Sequence, residues 1–420
     1  MAILKKCVIF AAFLVLSMYA AATAYAADTE YKLVVNGKEL VFENGTGPIN
    51  RNGSVYVPLR DVFDALNDGT GSMNWDGENN RETLTLRGIN MNLLIGDPMV
   101  EINGEAIAIP GGGAPLLYND AVYIPVRFFA DQLGMAVGWN KLYSTVSIID
   151  KAEYDTICDL FSSQPADIRR LSMDMAMNIK AVTTSLTPYS MHDSDINPDA
   201  DVLYYNTMTE DMSLNGSLEF DQDNEFAYVN MDLTSKGQTM AAEAYLLSNI
   251  MYIKTNDTDQ WLVQPLNESP FDLGAEAFFS QNALPGYANM MPVGDPYDAL
   301  MAFGLSTDDN GDLSVSGNIM ITSELNALIT GGEPEEGAAP VIPPIPVRFV
   351  FDRDTMALKA INMDLTVSNS TDMSSSYTVT VNLNIENINL SPGFEPVVPD
   401  EVVNSAVDMN TYVQSSSESY

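Results

Sequence analysis

A string of thirteen residues occurs twice near the N-terminus, and this repeat limits the possible folds more than any other feature. VYVPLRDVFDALN, from Val55 to Asn67, returns as VYIPVRFFADQLG, from Val122 to Gly134. The same spacing aligns Val35-Asn36-Gly37 with Ile102-Asn103-Gly104. The first 150 residues therefore contain two copies of one unit, at about residues 31–88 and 98–150.

Each copy predicts the same succession of elements. VYV and VYI favour a strand, and Pro58 or Pro125 then suits the start of a helix. The following apolar residues have helical spacing and predict a short amphipathic helix: Leu59, Val62, Phe63 and Leu66 in one copy, Val126, Phe129, Ala130 and Leu133 in the other. A turn residue, Asn67 or Gly134, ends the helix. A tryptophan then opens a hairpin that continues into ETLTLRG or STVSIID, so each unit is a β-strand, an α-helix and a β-hairpin.

The order of an Asn-Gly turn, x-Y-V-P-L-R, a short helix, W-D/N and an alternating strand resembles the copper amine oxidase N-terminal-like domain, often called a stalk domain. The resemblance covers about residues 30–150, predicts a domain at residues 27–150 and implies a tandem, non-catalytic module of exported Gram-positive proteins. A copper amine oxidase centre needs three imidazole ligands and a tyrosine-derived quinone. The chain has one histidine, His192. We therefore expect no enzymatic activity, no catalytic, cofactor-binding or metal-binding residues and no cofactor.

Residues 1–26 predict a secretory signal peptide. Lys5 and Lys6 precede an apolar run, and Ala24-Tyr25-Ala26 is a small-x-small cleavage site. The alternative is a membrane anchor, but the run is short, and no later stretch approaches roughly 20 apolar residues. Cys7 precedes the apolar run, unlike the cysteine of a lipoprotein signal. We expect a secreted or cell-surface protein with no transmembrane segment in the mature chain.

The net charge of −38 argues against nucleic acid and anionic lipid headgroups as partners. Acidic residues are scattered along the chain, which is typical of a solubilising surface. The alternative interpretation is attraction for cations, including diffuse Ca²⁺ binding.

The pattern of apolar and polar residues changes after a linker at residues 151–165. From 166 to 410, apolar and polar residues alternate in runs such as LSMDMAMNIKAV and SYTVTVNLNIENINL, separated by acidic turns. This pattern predicts a large, twisted antiparallel sheet. The segment FDLGAEAFFSQNALPGYANMMPVGDPYDALMAFGL predicts short helices that cover its concave face, and residues 411–420 form a polar tail. The fold class is thus α+β and multi-domain.

MYIKTNDTDQWLVQPL and the ending VNLNIENINLSPGFEPVVPDEVVNSA resemble the sheet hairpin and closing segment of the LolA/LppX-like lipoprotein-carrier fold. That resemblance implies a half-barrel whose sheet and helices enclose an apolar cavity for acyl chains.

Four groups of residues are candidates for metal-binding or catalytic sites. Met173, Met175 and Met177 could hold Cu(I), but in a strand they share one face and line a core or an apolar cavity. Asp308-Asp309-Asn310-Gly311-Asp312 departs from the EF-hand pattern and predicts a hairpin turn. His192 is expected in a polar loop, and Cys158 as a buried, inert thiol.

Arg60 and Arg127 recur in the first helical turn, where positive charge is disfavoured by the helix dipole. We therefore expect a fixed partner for each, either carbonyl groups or a carboxylate on the neighbouring hairpin.

Together these observations favour a non-enzymatic secreted or cell-envelope protein. A stalk-like module would present a C-terminal sheet domain that binds an apolar ligand, a lipid or an envelope partner. One alternative is a purely structural or adhesive surface protein with a filled core, and another is a cell-wall hydrolase. The sequence names no ligand-binding residue and no oligomeric state.

Overall fold

A computed structural model describes residues 31–42, 46–165, 169–189, 202–258, 260–265, 301–320, 344–372 and 375–412. This part of the chain is mostly sheet, with four short α-helices. It forms two compact units, one of residues 31–161 with 301–320 and 344, the other of residues 162–265 with 345–412. The predicted signal peptide, most of the polar tail and nearly all of the segment predicted to cover the concave face lie outside the described residues.

Twenty-five strands and four α-helices follow one another along the described residues. Those before residue 165 are β1 (Lys32–Val35), β2 (Lys38–Glu39), β3 (Ile49–Arg51), β4 (Ser54–Pro58), α1 (Leu59–Leu66), β5 (Ser72–Asp76), β6 (Arg81–Leu86), β7 (Ile89–Leu94), β8 (Met99–Ile102), β9 (Glu105–Ala108), a 3₁₀ turn (Pro110–Gly112), β10 (Leu116–Tyr118), β11 (Ala121–Pro125), α2 (Val126–Gln132), β12 (Met135–Asn140), β13 (Thr145–Asp150) and α3 (Lys151–Ser162). Those after it are β14 (Arg170–Tyr189), β15 (Val202–Asp221), β16 (Phe226–Ser235), β17 (Gln238–Leu247), β18 (Ile250–Thr255), β19 (Leu262–Pro265), β20 (Phe303–Thr307), β21 (Leu313–Ile319), β22 (Ile345–Phe351), β23 (Leu358–Asp372), β24 (Ser375–Asn389), α4 (Asp400–Ser405) and β25 (Val407–Asp408).

The strand, helix and hairpin predicted for VYVPLRDVFDALN and for VYIPVRFFADQLG, each with its following residues, are confirmed element by element. Pro58 and Pro125 immediately precede α1 and α2. The apolar residues predicted at helical spacing are all buried, from Leu59 in α1 to Leu133 at the end of α2. Gly134 follows α2 with a φ of 67°, a left-handed conformation that costs glycine little.

Two of the three small sheets in the first unit combine early and late strands of this region. β4 and β11 pair antiparallel, so that Tyr56 lies opposite Pro125 and Tyr123 opposite Pro58. The remaining strands form a sheet in the order β12-β13-β1-β2 and another in the order β5-β6-β7-β8-β9. In the former, β1 pairs in parallel with β13. Helices α1 and α2 both contact β11 and β4, and one continuous core fills the space between these elements.

The second unit contains one long sheet. Ten strands are adjacent in the order β22-β23-β24-β14-β15-β16-β17-β18-β19-β25. Their pairings are antiparallel, as predicted, except that β25 pairs in parallel with β19. The exception arises because the chain after α4 returns to the sheet edge, where Val407 donates its N–H to the carbonyl of Trp261.

The predicted linker contains α3. Asp150 begins this helix by accepting hydrogen bonds from the N–H groups of Ala152 and Glu153. Its carboxylate also pairs with Arg87. Burial tends to raise the pKa of Asp150, but the bonds from Arg87 and the two N–H groups outweigh it, and the pKa is lowered.

Candidate functional site

The candidate site is the apolar face of the long sheet, built around β14. Met173, Met175 and Met177 alternate with Asp174 and Ala176 along this strand. Met173 and Met177 are buried and Met175 is half-buried. The prediction that the three methionines share one face is therefore confirmed.

The strands on both sides of β14 continue this apolar face. Directly opposed residues of neighbouring strands have their side chains on the same face. Met177 lies opposite Leu214 on β15 and Leu383 on β24. The row extends through Met363 on β23 and Leu233 on β16. One face of at least five adjacent strands is thus lined by flexible or branched apolar side chains.

Burial along this face is uneven. Leu383 and Met363 are 4% and 5% exposed, as in a closed core. Leu214 and Leu233, on β15 and β16, are only half-buried. Met240 on β17 is 43% exposed. The face therefore changes from a packed core at β23 and β24 to accessible apolar surface at β15 to β17.

Aromatic rings pack together on the opposite face of the same sheet. Tyr228 and Tyr245 have ring centroids 4.6 Å apart, and Trp261 lies 5.6 Å from Tyr245. The Tyr228 hydroxyl donates to Glu243 over 3.0 Å. Burial, reinforced by this carboxylate, raises the pKa of Tyr228 well above its ordinary value, so its hydroxyl is a hydrogen-bond donor at neutral pH. The cluster therefore joins β16, β17 and the residue that precedes β19 by ring packing and one hydrogen bond.

Arg170 links the segment after β24 to this aromatic cluster through Phe394. Arg170 Nε lies 3.0 Å from Oδ2 of Asp221, which is 1% exposed. The guanidinium also donates to the carbonyl of Phe394 and stacks 4.6 Å from the centre of its ring. Asp221 accepts further bonds from the backbone and side chain of Asn224. The predicted acidic turn is therefore a structural anchor between β15 and β16.

The acidic loop weighed as a calcium site is a hairpin turn, as predicted. Asp308 accepts from the backbone N–H groups of Asn310 and Asp312 at 2.9 and 3.0 Å. Gly311 has a φ of 86° and donates to the carbonyl of Asp308. The Asp308 carboxylate thus closes the connection between β20 and β21.

Two predictions about single residues require correction. Cys158 is half-buried, because it flanks the buried face of α3 that Ile157 and Leu160 occupy. Arg127 is exposed, and within the described ranges it has no hydrogen bond or ion pair, so the fixed partner predicted for it is not found among these residues. His192 lies outside the described residues.

Arg60 is also exposed, but its charge acts on a carboxylate of the neighbouring hairpin, Glu82. Glu82 is 2% exposed, and its Oε1 has no hydrogen-bond partner among the described residues. Burial raises its pKa, while Arg60 lowers it to a smaller extent. Glu82 was not among the predicted site residues, although its alternation with Leu84 and Leu86 places it on their buried face.

The region from β1 to β13 can be compared with known families. Residues 34–148 match the copper amine oxidase N-terminal domain. This copper amine oxidase N-terminal-like region is less than a third of the 420 residues, so the similarity concerns the first unit alone. Comparison with curated proteins finds no significant match.

The copper amine oxidase N-terminal-like region does not carry the ligands that its name suggests. A site with three imidazoles cannot be built from a chain with one histidine. Among the described residues, no three or more His, Cys, Asp or Glu side chains are grouped to hold a metal ion. Across the same residues, no helix has both the length and the apolar character needed to cross a bilayer.

Proposed function

We propose that this protein is a non-catalytic component of the cell exterior that binds a lipid acyl chain on the apolar face of its long sheet. The observation that carries the proposal is the change in burial along this face. Met363 and Leu383 are packed, whereas Leu214 and Leu233 are half-buried and Met240 is 43% exposed. Accessible apolar surface next to a closed core suits a ligand of variable length and shape, and methionine adapts to such ligands.

The remainder of the proposal concerns the first unit and the ends of the chain. The copper amine oxidase N-terminal-like region would consist of two copies of one unit and act as a stalk that presents the sheet. Residues 1–26 would direct export, and the long sheet would be a relative of the LolA/LppX-like carriers. The matching element order of β4-α1-β5-β6 and β11-α2-β12-β13 supports the two-copy interpretation.

The test uses the mature full-length chain, purified from the cells that produce it. Native mass spectrometry and lipid extraction should find a bound lipid, and a fluorescent fatty acid should be displaced by it. Absence of lipid together with no uptake of the fluorescent acyl probe would contradict the proposal and favour an adhesive protein with a filled core. Release of fragments from peptidoglycan would instead favour the hydrolase alternative.

A further inference from the structure

A distant segment of the chain packs on the outer face of the β12-β13-β1-β2 sheet. Met301 lies against Gly138 so closely that a Cβ at this glycine would be 2.8 Å from the Met301 sulfur. At the β1–β2 turn, a Cβ on Gly37 would lie 2.3 Å from the backbone nitrogen of Gly304. Residues 301–304 therefore contact this sheet at two glycines.

The sheet residues around these contacts are buried although they point away from the main core. Gly138 lies opposite Ser147, and Ser147 lies opposite Val34. Ser147 and Val34 are 5% and 1% exposed. We call Gly37, Gly138, Ser147 and Val34 the occupied face.

The β5-β6-β7-β8-β9 sheet has a counterpart for each of these residues. The β5–β6 and β12–β13 hairpins each have a tryptophan on the first strand, Trp75 or Trp139, and four residues between their strands. When the two tryptophans are aligned, Asn74 corresponds to Gly138 and Thr83 corresponds to Ser147. Alignment of the two Asn-Gly turns places Glu101 on Val34 and Gly104 on Gly37. We call Asn74, Thr83, Glu101 and Gly104 the open face.

All four residues of the open face line a depression of about 230 Å³. No described residue comes within 4 Å of the position that a Cβ would take at Gly104. Thr83 is half-buried, whereas its counterpart Ser147 is buried. Residues 301–304 thus cover the occupied face, whereas no described residue fills the corresponding position on the open face.

The open face is polar where the occupied face is small or apolar. Asn92, on the added strand β7, donates to Glu101 and accepts from Arg81. Asn74 and Ser72 make no side-chain hydrogen bond within the described residues. Of the described residues that line the depression, Glu101 alone is charged, so a ligand with hydrogen-bonding groups and positive charge is complementary to it.

We propose that the open face is a docking site for a polar, basic β-hairpin of another protein chain. A hairpin is favoured because the occupied face is covered by residues 301–304 of the same chain, and these residues lead into the β20–β21 hairpin. Polar contacts are favoured because Asn74, Thr83 and Glu101 replace Gly138, Ser147 and Val34. This inference rests on the proposed two-copy interpretation of the first unit, but it does not depend on the apolar face or on the lipid proposed to bind there.

The experiment uses the mature full-length chain and a phage-displayed library of disulfide-closed hairpin peptides with an Asn-Gly turn. Selected hairpins should be enriched in Lys, Arg, Ser, Thr and Asn. Their affinity should fall at least about tenfold with Glu101→Gln, because a charge-assisted contact is lost. Asn74→Trp should abolish binding by filling the depression, since Asn74 is exposed on a strand that accepts an aromatic residue.

The matched control is Leu117→Trp, at a strand position of another sheet that is 49% exposed. It should leave hairpin binding unchanged, and circular dichroism should show that all variants fold. Failure to enrich any hairpin would overturn the proposal, as would equal binding to Asn74→Trp. Binding of chito-oligosaccharides that Asn74→Trp abolishes would also overturn it and assign the face to glycans.

Discussion

Gly304 lies directly against the peptide that joins Asn36 to Gly37, and a Cβ at Gly304 would be 1.9 Å from the carbonyl oxygen of Asn36. Residues separated by most of the chain thus meet backbone to backbone. Only glycine permits this distance, because any side chain would occupy the space of the opposing main chain.

Gly304→Ala should therefore lower the free energy of unfolding of the first unit by about 2–3 kcal/mol, through overpacking against backbone that cannot move aside cheaply. Urea denaturation followed by the fluorescence of Trp75 and Trp139 would measure the change. The control is Gly393→Ala, since no described atom lies within 4 Å of its Cβ position. Equal stability of the two variants would contradict the described contact.

Glu82→Gln should stabilise the protein at neutral pH by about 1–2 kcal/mol, because a buried carboxylate without a hydrogen bond to Oε1 is costly when charged. The pKa of Glu82 is raised in the folded state. Below the ordinary pKa of 4.5, both states hold the proton and the cost is absent. As the pH rises above 4.5, the unfolded state loses its proton first and stability falls until the folded carboxyl ionises.

The stability difference between Glu82→Gln and the natural protein should accordingly grow from pH 4 towards pH 7 and then level off. Urea denaturation at several pH values measures it. Glu105→Gln, at an exposed position of β9 in the same sheet, serves as the control and should show little difference. A difference that shrinks as the pH rises would refute the assignment.

Arg170→Ala should destabilise the second unit by about 2–4 kcal/mol, since it leaves Asp221 buried without its cation. The neighbouring Arg169 offers a matched control. Arg169 pairs with Asp223, but their side chains are 43% and 53% exposed. Arg169→Ala should cost less than about 1 kcal/mol, as surface ion pairs do. Thermal unfolding of both variants tests the contrast, and a larger loss for Arg169→Ala would contradict it.

Met231→Lys should weaken binding of a fluorescent fatty acid roughly tenfold if the apolar face holds the acyl chain, because a charge beside the ligand must be desolvated. Met231 is half-buried and lies opposite Gly216 on this face. Its neighbour Asn230 is exposed on the other face. Asn230→Lys should leave the affinity unchanged, and equal effects of the two substitutions would place the ligand elsewhere.

Local parts of the fold were predictable because their causes are local. Proline before the helix, apolar residues at i, i+3, i+4 and i+7, and a turn residue after it define α1 and α2 within a few residues. The one-sided methionines of β14 follow from the two-residue period of a strand. Each of these features is decided by neighbours in the sequence.

Partners distant in sequence were not predictable in the same way. Nothing in KLVV of β1 indicates that it pairs in parallel with β13, and the string MAFGL gives no sign that Gly304 contacts Gly37. Arg127 was assigned a partner from its recurrence, yet it is exposed, so recurrence alone does not identify a contact. The accessible part of the apolar face also depends on packing, which alternation cannot reveal.

The parallel pairing of β1 with β13 has a consequence for how the chain is made. The chain is synthesised from the N-terminus, so β1 cannot pair with β13 until residues 145–150 have been made. The outer face of that sheet must then wait for residues 301–304. During synthesis that edge of β1 therefore stays unpaired until β13 has been made, and a chain truncated before Met301 would lack the segment that covers Gly138.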